Sequence, residues 1–200
     1  PSLTIALAGL FLSPILGLIG EFILSRLMWA AGHYASPQIN RWFNRAQILF
    51  STLVALSFGA NEAQKIMAML VLGLFATGSI TSFAVPAWVV ILSALSMAVG
   101  TFVGGHQLIR TLGGKFYKIR PIEGFSAQIS SSLVIFVAGL LGGPVSGSQV
   151  VTSAIVGAGS ADRVSKVRWN VVERILVGWI VTIPLSALLS AVLYKLMEML

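Results

Sequence analysis

The sequence GFSAQISSSLVIFVAGLLGGPVSGSQVVTSAIVGAGSA, residues 124–161, contains no Asp, Glu, Lys or Arg. Two further stretches, residues 3–20 and 66–103, are equally free of charge. Apolar runs longer than about 18 residues are typical of helices that cross a membrane. The sequence therefore predicts an all-α polytopic membrane protein.

The overall composition supports this class. Hydrophobic residues make up 56% of the 200 residues and charged residues only 10%, whereas soluble domains carry about 25% charged residues. The net charge of +7 comes from short basic clusters beside apolar runs, which is typical of cytoplasmic loops and gives no indication of nucleic-acid binding. The absence of Cys excludes disulfides and thiolate metal sites.

The apolar runs and the charged segments between them predict the membrane topology. The predicted parts are a first span (1–35), an interfacial amphipathic helix (36–47), two spans of which the first is broken at 59–65 (48–109), a basic cytoplasmic loop (110–123), a re-entrant helical hairpin (124–161), a charged cytoplasmic segment (162–174) and a last span with its tail (175–200). Re-entrance is preferred over two full spans because residues 150–159 are too few to cross about 30 Å of hydrocarbon. This gives about four full spans in a multi-pass protein of the cytoplasmic (inner) membrane.

A short polar stretch, GANEAQK, interrupts one of the apolar segments at residues 59–65. An ionisable side chain near the bilayer centre costs about 2.5–3.5 kcal/mol, so Glu62 and Lys65 predict a functional site. The oxygens of Asn61, Glu62 and Gln64 suit Na⁺ or a proton relay. The alternative is a helix–helix contact in which Glu62 pairs with Lys65 at i,i+3.

A second feature is the sequence LGGPVSGSQ at residues 141–149. A helix that starts after such a break has free backbone N–H groups at its positive end, which favours a bound anion. Ser146 and Ser148 add hydroxyl donors, and Gly147 allows close approach to the backbone. The alternative is a plain loop between two spans with a serine cap.

The remaining polar residues are less informative. By itself, Gln128, in a serine-rich stretch, is more typical of helix capping and small-residue packing. The sequence contains no paired-carboxylate site, no metal-ligand cluster, no GxSxG motif and no Walker loop, so we do not expect an enzyme.

Three segments together resemble the PiT family of inorganic phosphate transporters. They are SFGANEAQK (57–65), TLGGKFYKIRPIEGFSAQ (111–128) and GGPVSGSQVVTSAIVGAGSADR (142–163). The resemblance implies symport of inorganic phosphate with Na⁺ or H⁺, and an inverted-repeat transporter of which this chain is the C-terminal repeat. The chain begins with Pro1, and we expect a fragment or one half of a larger protein. The N-terminal repeat of the same protein or a second chain would then be its partner in the bilayer, and a homodimer is compatible with this architecture.

The resemblance also implies roles for individual residues. Those expected to bind substrate are Ser146, Gly147, Ser148, Gln149, Gln64 and Lys65. Those expected to bind the cation are Asn61, Glu62 and Gln128, with Na⁺ at Asn61 and Glu62. No other cofactor is expected.

The chain departs from the family pattern at four positions, and at three of them an ionisable group is replaced by a neutral one. Phe58 replaces a His, Gln128 a Glu, and Gly147 and Gln149 replace the Thr and His of PVSTTH. These changes leave two alternatives open, a sulfate permease on the same scaffold and a transport-inactive membrane homologue. A channel instead of a carrier is a further hypothesis.

Overall fold

A computed structural model describes residues 3–32, 39–114, 119–143 and 145–198. Its described residues form six α-helices and one short 3₁₀ helix. They are α1 (Leu3–Gly32), α2 (Ile39–Ala76), α3 (Ala87–Gly114), α4 (Pro121–Leu140), α5 (Gly147–Asp162), the 3₁₀ helix Val164–Lys166 and α6 (Trp169–Glu198). Four segments are long and apolar enough to cross a membrane: Ala8–Ala30, Ala87–His106, Pro121–Leu140 and Trp169–Glu198. The predicted all-α polytopic membrane protein is confirmed.

The helices fall into two compact units, Pro1–Val167 and Arg168–Leu200. In the first unit α1, α4 and α5 pack against one another, α2 packs on α4, and α3 packs on α2. Its core contains Ile135 of α4 and Val150 of α5, both fully buried. The second unit contains α6, and no described residue of this helix is buried.

The predicted break at 59–65 is wrong, because α2 continues as one helix from Ile39 to Ala76. Glu62 and Lys65 satisfy each other across one turn of this helix, so the polar stretch fits helical geometry without unwinding. The helix α2 also includes residues 39–47 of the predicted interfacial segment. The first residues of that segment lie outside the described part. Phe43 is buried and packs on Phe125 of α4 with ring centroids 5.1 Å apart. Contact with α4 therefore holds the Phe43 side of this end of α2, and the interfacial placement of the segment stays a prediction.

The helix α4 starts with a well-formed cap. Arg120 is the capping residue, Pro121 opens the helix, and the Glu123 carboxylate accepts the backbone N–H of Arg120 at 2.8 Å. Pro at the first helical position and a carboxylate at the third are stabilising for this end. Towards the other end, Gly142 adopts φ +67 and the N–H of Gly143 donates to Ala138 O, so the chain turns sharply.

The turn leads directly into α5, which has 16 residues and is about 24 Å long at 1.5 Å per residue. It is shorter than about 30 Å of hydrocarbon, which agrees with the premise of the re-entrant hairpin. Whether this pair of helices is re-entrant stays a prediction, since α4 alone is long enough to span.

Candidate functional site

The polar stretch of α2 meets the start of α5. The Lys65 ammonium donates to Glu62 Oε1 at 2.6 Å and to the backbone carbonyl of Val145 at 2.8 Å. The N–H of Gly147 donates to the same Glu62 oxygen at 3.4 Å. We call these four residues the hairpin contact. The structure thus brings together two predicted features that are far apart in sequence.

The start of α5 is a backbone donor site. Ser146 precedes the helix in an extended conformation and its side chain does not cap the helix. Its hydroxyl lies 3.2 Å from that of Ser148. The N–H groups of a first helical turn have no intrahelical acceptor, and the helix dipole places partial positive charge there. With Lys65 beside it, this end of α5 has the donors and the charge to hold an anion.

Gly147 is required by a close approach to α2. A Cβ atom at this position would lie 2.5 Å from the Phe58 ring, closer than carbon atoms can pack. Phe58 is the residue that stands where the resemblance implies a His. The aromatic ring therefore closes one side of the site by packing and contributes no ionisable group.

Asn61 lies beside the hairpin contact and has a spare acceptor. It is 5% exposed, and its side-chain oxygen has no hydrogen-bond partner among the described residues. The side-chain oxygen of Gln149 on α5 is likewise buried and unpaired within the described part of the chain. Buried polar atoms are normally satisfied, so both oxygens mark places where an ion, a substrate or water can bind.

Two predicted site residues lie elsewhere. Gln64 is exposed on α2. Gln128 lines a cavity of about 360 Å³ between α2, α4 and α5, and its buried side-chain oxygen has no partner among the described residues. Asn61 and Glu62 do not belong to the described lining of that cavity. The structure therefore does not place Gln128 beside the other two predicted cation ligands.

Sequence reasoning missed a second acidic group, Glu21 of α1. This residue is fully buried, and its Oε1 accepts hydrogen bonds from Ser25 at 2.7 Å and from Ser126 at 2.6 Å. The available signal was a Glu and a Ser four residues apart within an apolar span, because residues at i and i+4 share one face of a helix. In the described residues no three His, Asp or Glu side chains cluster closely enough to hold a metal ion.

The sequence of the chain is similar to those of known phosphate transporters. The model of the phosphate transporter family matches residues 28–190. A probable low-affinity inorganic phosphate transporter of Bacillus subtilis is 37% identical over 194 residues, covering 95% of this chain and 58% of that protein. One from Rhizobium meliloti is 37% identical over 185 residues, covering 92% and 55%.

An archaeal relative is more distant. A putative phosphate permease of Thermococcus kodakarensis is 34% identical over 158 residues, covering 78% of this chain and 39% of that protein. No solved structure matches the chain significantly. The chain spans about half the length of the curated relatives it matches. The family match covers most of the chain and includes the hairpin contact, so this chain belongs to the phosphate transporter family.

Proposed function

We propose that the protein carries inorganic phosphate across the cell membrane in symport with Na⁺ or H⁺. The relatives named as phosphate transporters support the substrate. The observation that carries the proposal is the hairpin contact, where Lys65 reaches the start of α5. It joins a cation, the backbone N–H groups at the start of α5 and two hydroxyls at one place, and these are the donors that phosphate needs.

The same contact supplies a route to coupling. Glu62 Oε1 now accepts from both Lys65 and the N–H of Gly147, so this carboxylate stands where an anion would bind. A phosphate oxygen that takes these two donors releases Glu62. The released carboxylate and the unpaired oxygen of Asn61 then form a pair of oxygen ligands for Na⁺, or Glu62 takes a proton. Anion and cation thus bind together because each completes the charge balance of the other.

Ser146, Gly147 and Ser148 would contact phosphate, and Gln149 would add its unpaired oxygen or amide. Gln128 would act from its cavity on α4 rather than as a direct neighbour of Asn61. The N-terminal repeat, or a second chain, would supply the opposite wall of the site. Rocking of two such halves around a fixed site gives alternating access.

The test is uptake of labelled phosphate by the intact gene product in proteoliposomes, with Na⁺, with a pH gradient, and with neither. We expect accumulation against the phosphate gradient that requires one of the two cations. Accumulation of this kind contradicts a channel. Inhibition by excess sulfate would show that the altered hairpin also binds sulfate and that its selectivity has changed. A folded protein that moves neither anion would contradict the proposal and favour the transport-inactive homologue.

A pair of lysine variants links the uptake to the site. Lys65→Gln removes the ammonium that contacts Val145 and is expected to abolish saturable uptake. Lys195→Gln removes an exposed lysine on α6 and should leave uptake unchanged. Equal uptake by both variants would contradict the role of the hairpin contact.

A further inference from the structure

A second polar cluster lies away from the hairpin contact, where α1 crosses α4 and α5. We define the Glu21 cluster as Glu21 and Ser25 of α1 with Ser126 of α4. Both hydroxyls donate to Glu21 Oε1, and they lie 3.2 Å from each other. All three side chains are at most 1% exposed. The cluster is therefore an oxygen-lined site in the core of the first unit.

Close helix packing fixes the position of Glu21. A Cβ atom at Gly157 of α5 would lie 2.5 Å from the Leu18 carbonyl oxygen and 3.3 Å from Glu21 Cβ. The backbone of α5 therefore presses directly on the turn of α1 that carries Glu21. Ser130 of α4 lies beside the same turn, since its hydroxyl would be 3.4 Å from a Cβ at Gly20. The carboxyl group has little freedom to swing out to water.

One oxygen of this buried carboxyl group is unused. Glu21 Oε2 is inaccessible and has no hydrogen-bond partner among the described residues. Two hydroxyl donors on the other oxygen do not neutralise a charge. An ionised carboxylate buried without a counter-charge is strongly unfavourable, and in proteins it is neutralised by a cation or by a proton.

The charged groups on the neighbouring elements are engaged elsewhere. On α1 itself, Arg26 is exposed and stacks over the Phe22 ring. Before α4, Arg120 stacks over Trp29. After α5, Lys166 pairs with Asp162.

The acidic neighbour does not neutralise Glu21 either. Glu123 of α4 is the like-charged group that acts on Glu21, and one of its oxygens accepts the Arg120 N–H. Because Glu123 is itself acidic, it supplies no counter-charge to Glu21. The described surroundings therefore leave Glu21 without a protein cation.

We propose that the Glu21 cluster binds one monovalent cation, Na⁺ or H⁺, at Glu21 Oε2. Oxygen ligands of this kind suit a hard cation. A single positive charge balances the single carboxylate, whereas a divalent ion would leave excess charge in an apolar core. For Na⁺ the Ser25 and Ser126 hydroxyls turn their lone pairs to the ion. For H⁺ the carboxylate becomes a neutral acid that still accepts both hydroxyl donors.

This site is distinct from the cation ligands proposed at Asn61 and Glu62, and its test does not require transport. The intact protein in detergent is heated in NaCl and in choline chloride at equal ionic strength, and binding of labelled Na⁺ is measured beside it. If Na⁺ is the occupant, the melting midpoint rises with Na⁺, and Glu21→Gln reduces this rise and removes one bound Na⁺ per chain.

If H⁺ is the occupant, Na⁺ has no effect that depends on Glu21. The infrared spectrum then shows the C=O stretch of a protonated, buried carboxyl group near neutral pH, and this band is lost in Glu21→Gln. The control is Glu173→Gln, which changes an exposed carboxylate on α6 and should keep both the Na⁺ response and the band. An ionised Glu21 with no bound Na⁺ would overturn the proposal.

A folding defect in Glu21→Gln would also remove cation binding, so two further variants keep the carboxylate. Ser25→Ala and Ser126→Ala each remove one hydroxyl and should weaken Na⁺ binding about tenfold, or shift the infrared band of the protonated acid. Unchanged binding and an unchanged band in both variants would overturn the assignment to this cluster. Loss of phosphate uptake with intact cation binding would count against the proposed function and not against this site.

Discussion

Two polar regions of the first unit differ in how their carboxylate is paired and in how deeply it is buried. At the hairpin contact the side chain of Glu62 is 26% exposed and is paired with Lys65 at 2.6 Å. In the Glu21 cluster the carboxylate is fully buried, and its hydrogen bonds within the described part of the chain come from hydroxyl groups. A partner that is a flexible lysine can be exchanged for another cation, whereas a rigid, lysine-free pocket needs an ion to complete it. In the proposed mechanism the first region exchanges its partner during transport, and the second holds a bound charge.

The largest effect is expected for Glu62→Gln, which keeps the shape of the side chain and removes its charge. Lys65 then loses its counter-charge and the proposed cation loses its carboxylate ligand. We expect coupled phosphate uptake to fall by at least about a hundredfold, which corresponds to about 2.7 kcal/mol. The measurement is initial-rate uptake in proteoliposomes with equal amounts of inserted protein.

The matched control is Glu198→Gln, because Glu198 is an exposed carboxylate at the end of α6. It should transport at the normal rate. Near-normal uptake by inserted Glu62→Gln would remove Glu62 from the coupling step and erase the contrast with Glu21.

The second effect concerns the packing that buries Glu21. In Gly157→Ala the added methyl group meets the Leu18 carbonyl oxygen, which is backbone and cannot move aside without shifting α1. Overpacking of this kind costs about 1–3 kcal/mol. We expect a lower midpoint of thermal inactivation in detergent.

Gly100→Ala provides the control, since a Cβ there meets no atom within 4 Å and Ala favours a helix over Gly. Its midpoint should be unchanged or higher. If Gly157→Ala were as stable as Gly100→Ala, the crossing of α1 and α5 would be looser than the structure indicates, and Glu21 would be free to reach water.

The sequence predicted the class of fold and the two segments that form the hairpin contact, the polar stretch of α2 and the start of α5. Both predictions depend on local signals. Long charge-free runs indicate spanning helices, and GPVSGSQ marks a turn followed by a helix start. The i,i+3 spacing also raised the Glu62–Lys65 pair as an alternative to a functional site, and the structure contains that pair. Local patterns could not show that Lys65 also reaches Val145, since that contact depends on how α2 packs against α5.

The errors have the same origin. The stretch at 59–65 suggested a break, but the ion pair lets the helix continue. The aromatic residues of the segment 36–47 suggested a lipid interface, which stays a prediction, but they could not show that Phe43 packs on Phe125. Glu21 was not predicted as a site residue, because one of its hydrogen-bond donors, Ser25, lies on its own helix and the other, Ser126, lies on another helix. Each of these outcomes depends on a tertiary contact that no single stretch of sequence contains.

The third effect separates the steric role of Gly147 from its chemistry. In Gly147→Ala the methyl group meets the Phe58 ring. A second substitution can shorten this side chain, whereas the backbone carbonyl that Gly157→Ala meets cannot be removed. We expect the KM for phosphate to rise about tenfold, equivalent to about 1.4 kcal/mol, because α5 moves away from Lys65. The double variant Phe58→Ala/Gly147→Ala should recover most of this loss. Without recovery, the loss would arise at the backbone N–H of Gly147 rather than from the contact with Phe58.

The smallest effect is expected for Ser148→Ala. Ser148 is exposed at the first turn of α5, and its hydroxyl bonds only to that of Ser146 among the hydrogen bonds described. A hydrogen bond to a charged group contributes about 1.5–3 kcal/mol when buried, and less at an exposed position. We therefore expect the KM for phosphate to rise severalfold while kcat changes little. Ser186→Ala on α6 is the control and should not alter KM, because the described hydrogen bond of the Ser186 hydroxyl runs to Thr182 O in the same helix. A fall in kcat at constant KM would place Ser148 in the movement of the hairpin instead of in phosphate binding, and would make the start of α5 a moving part rather than a fixed anion site.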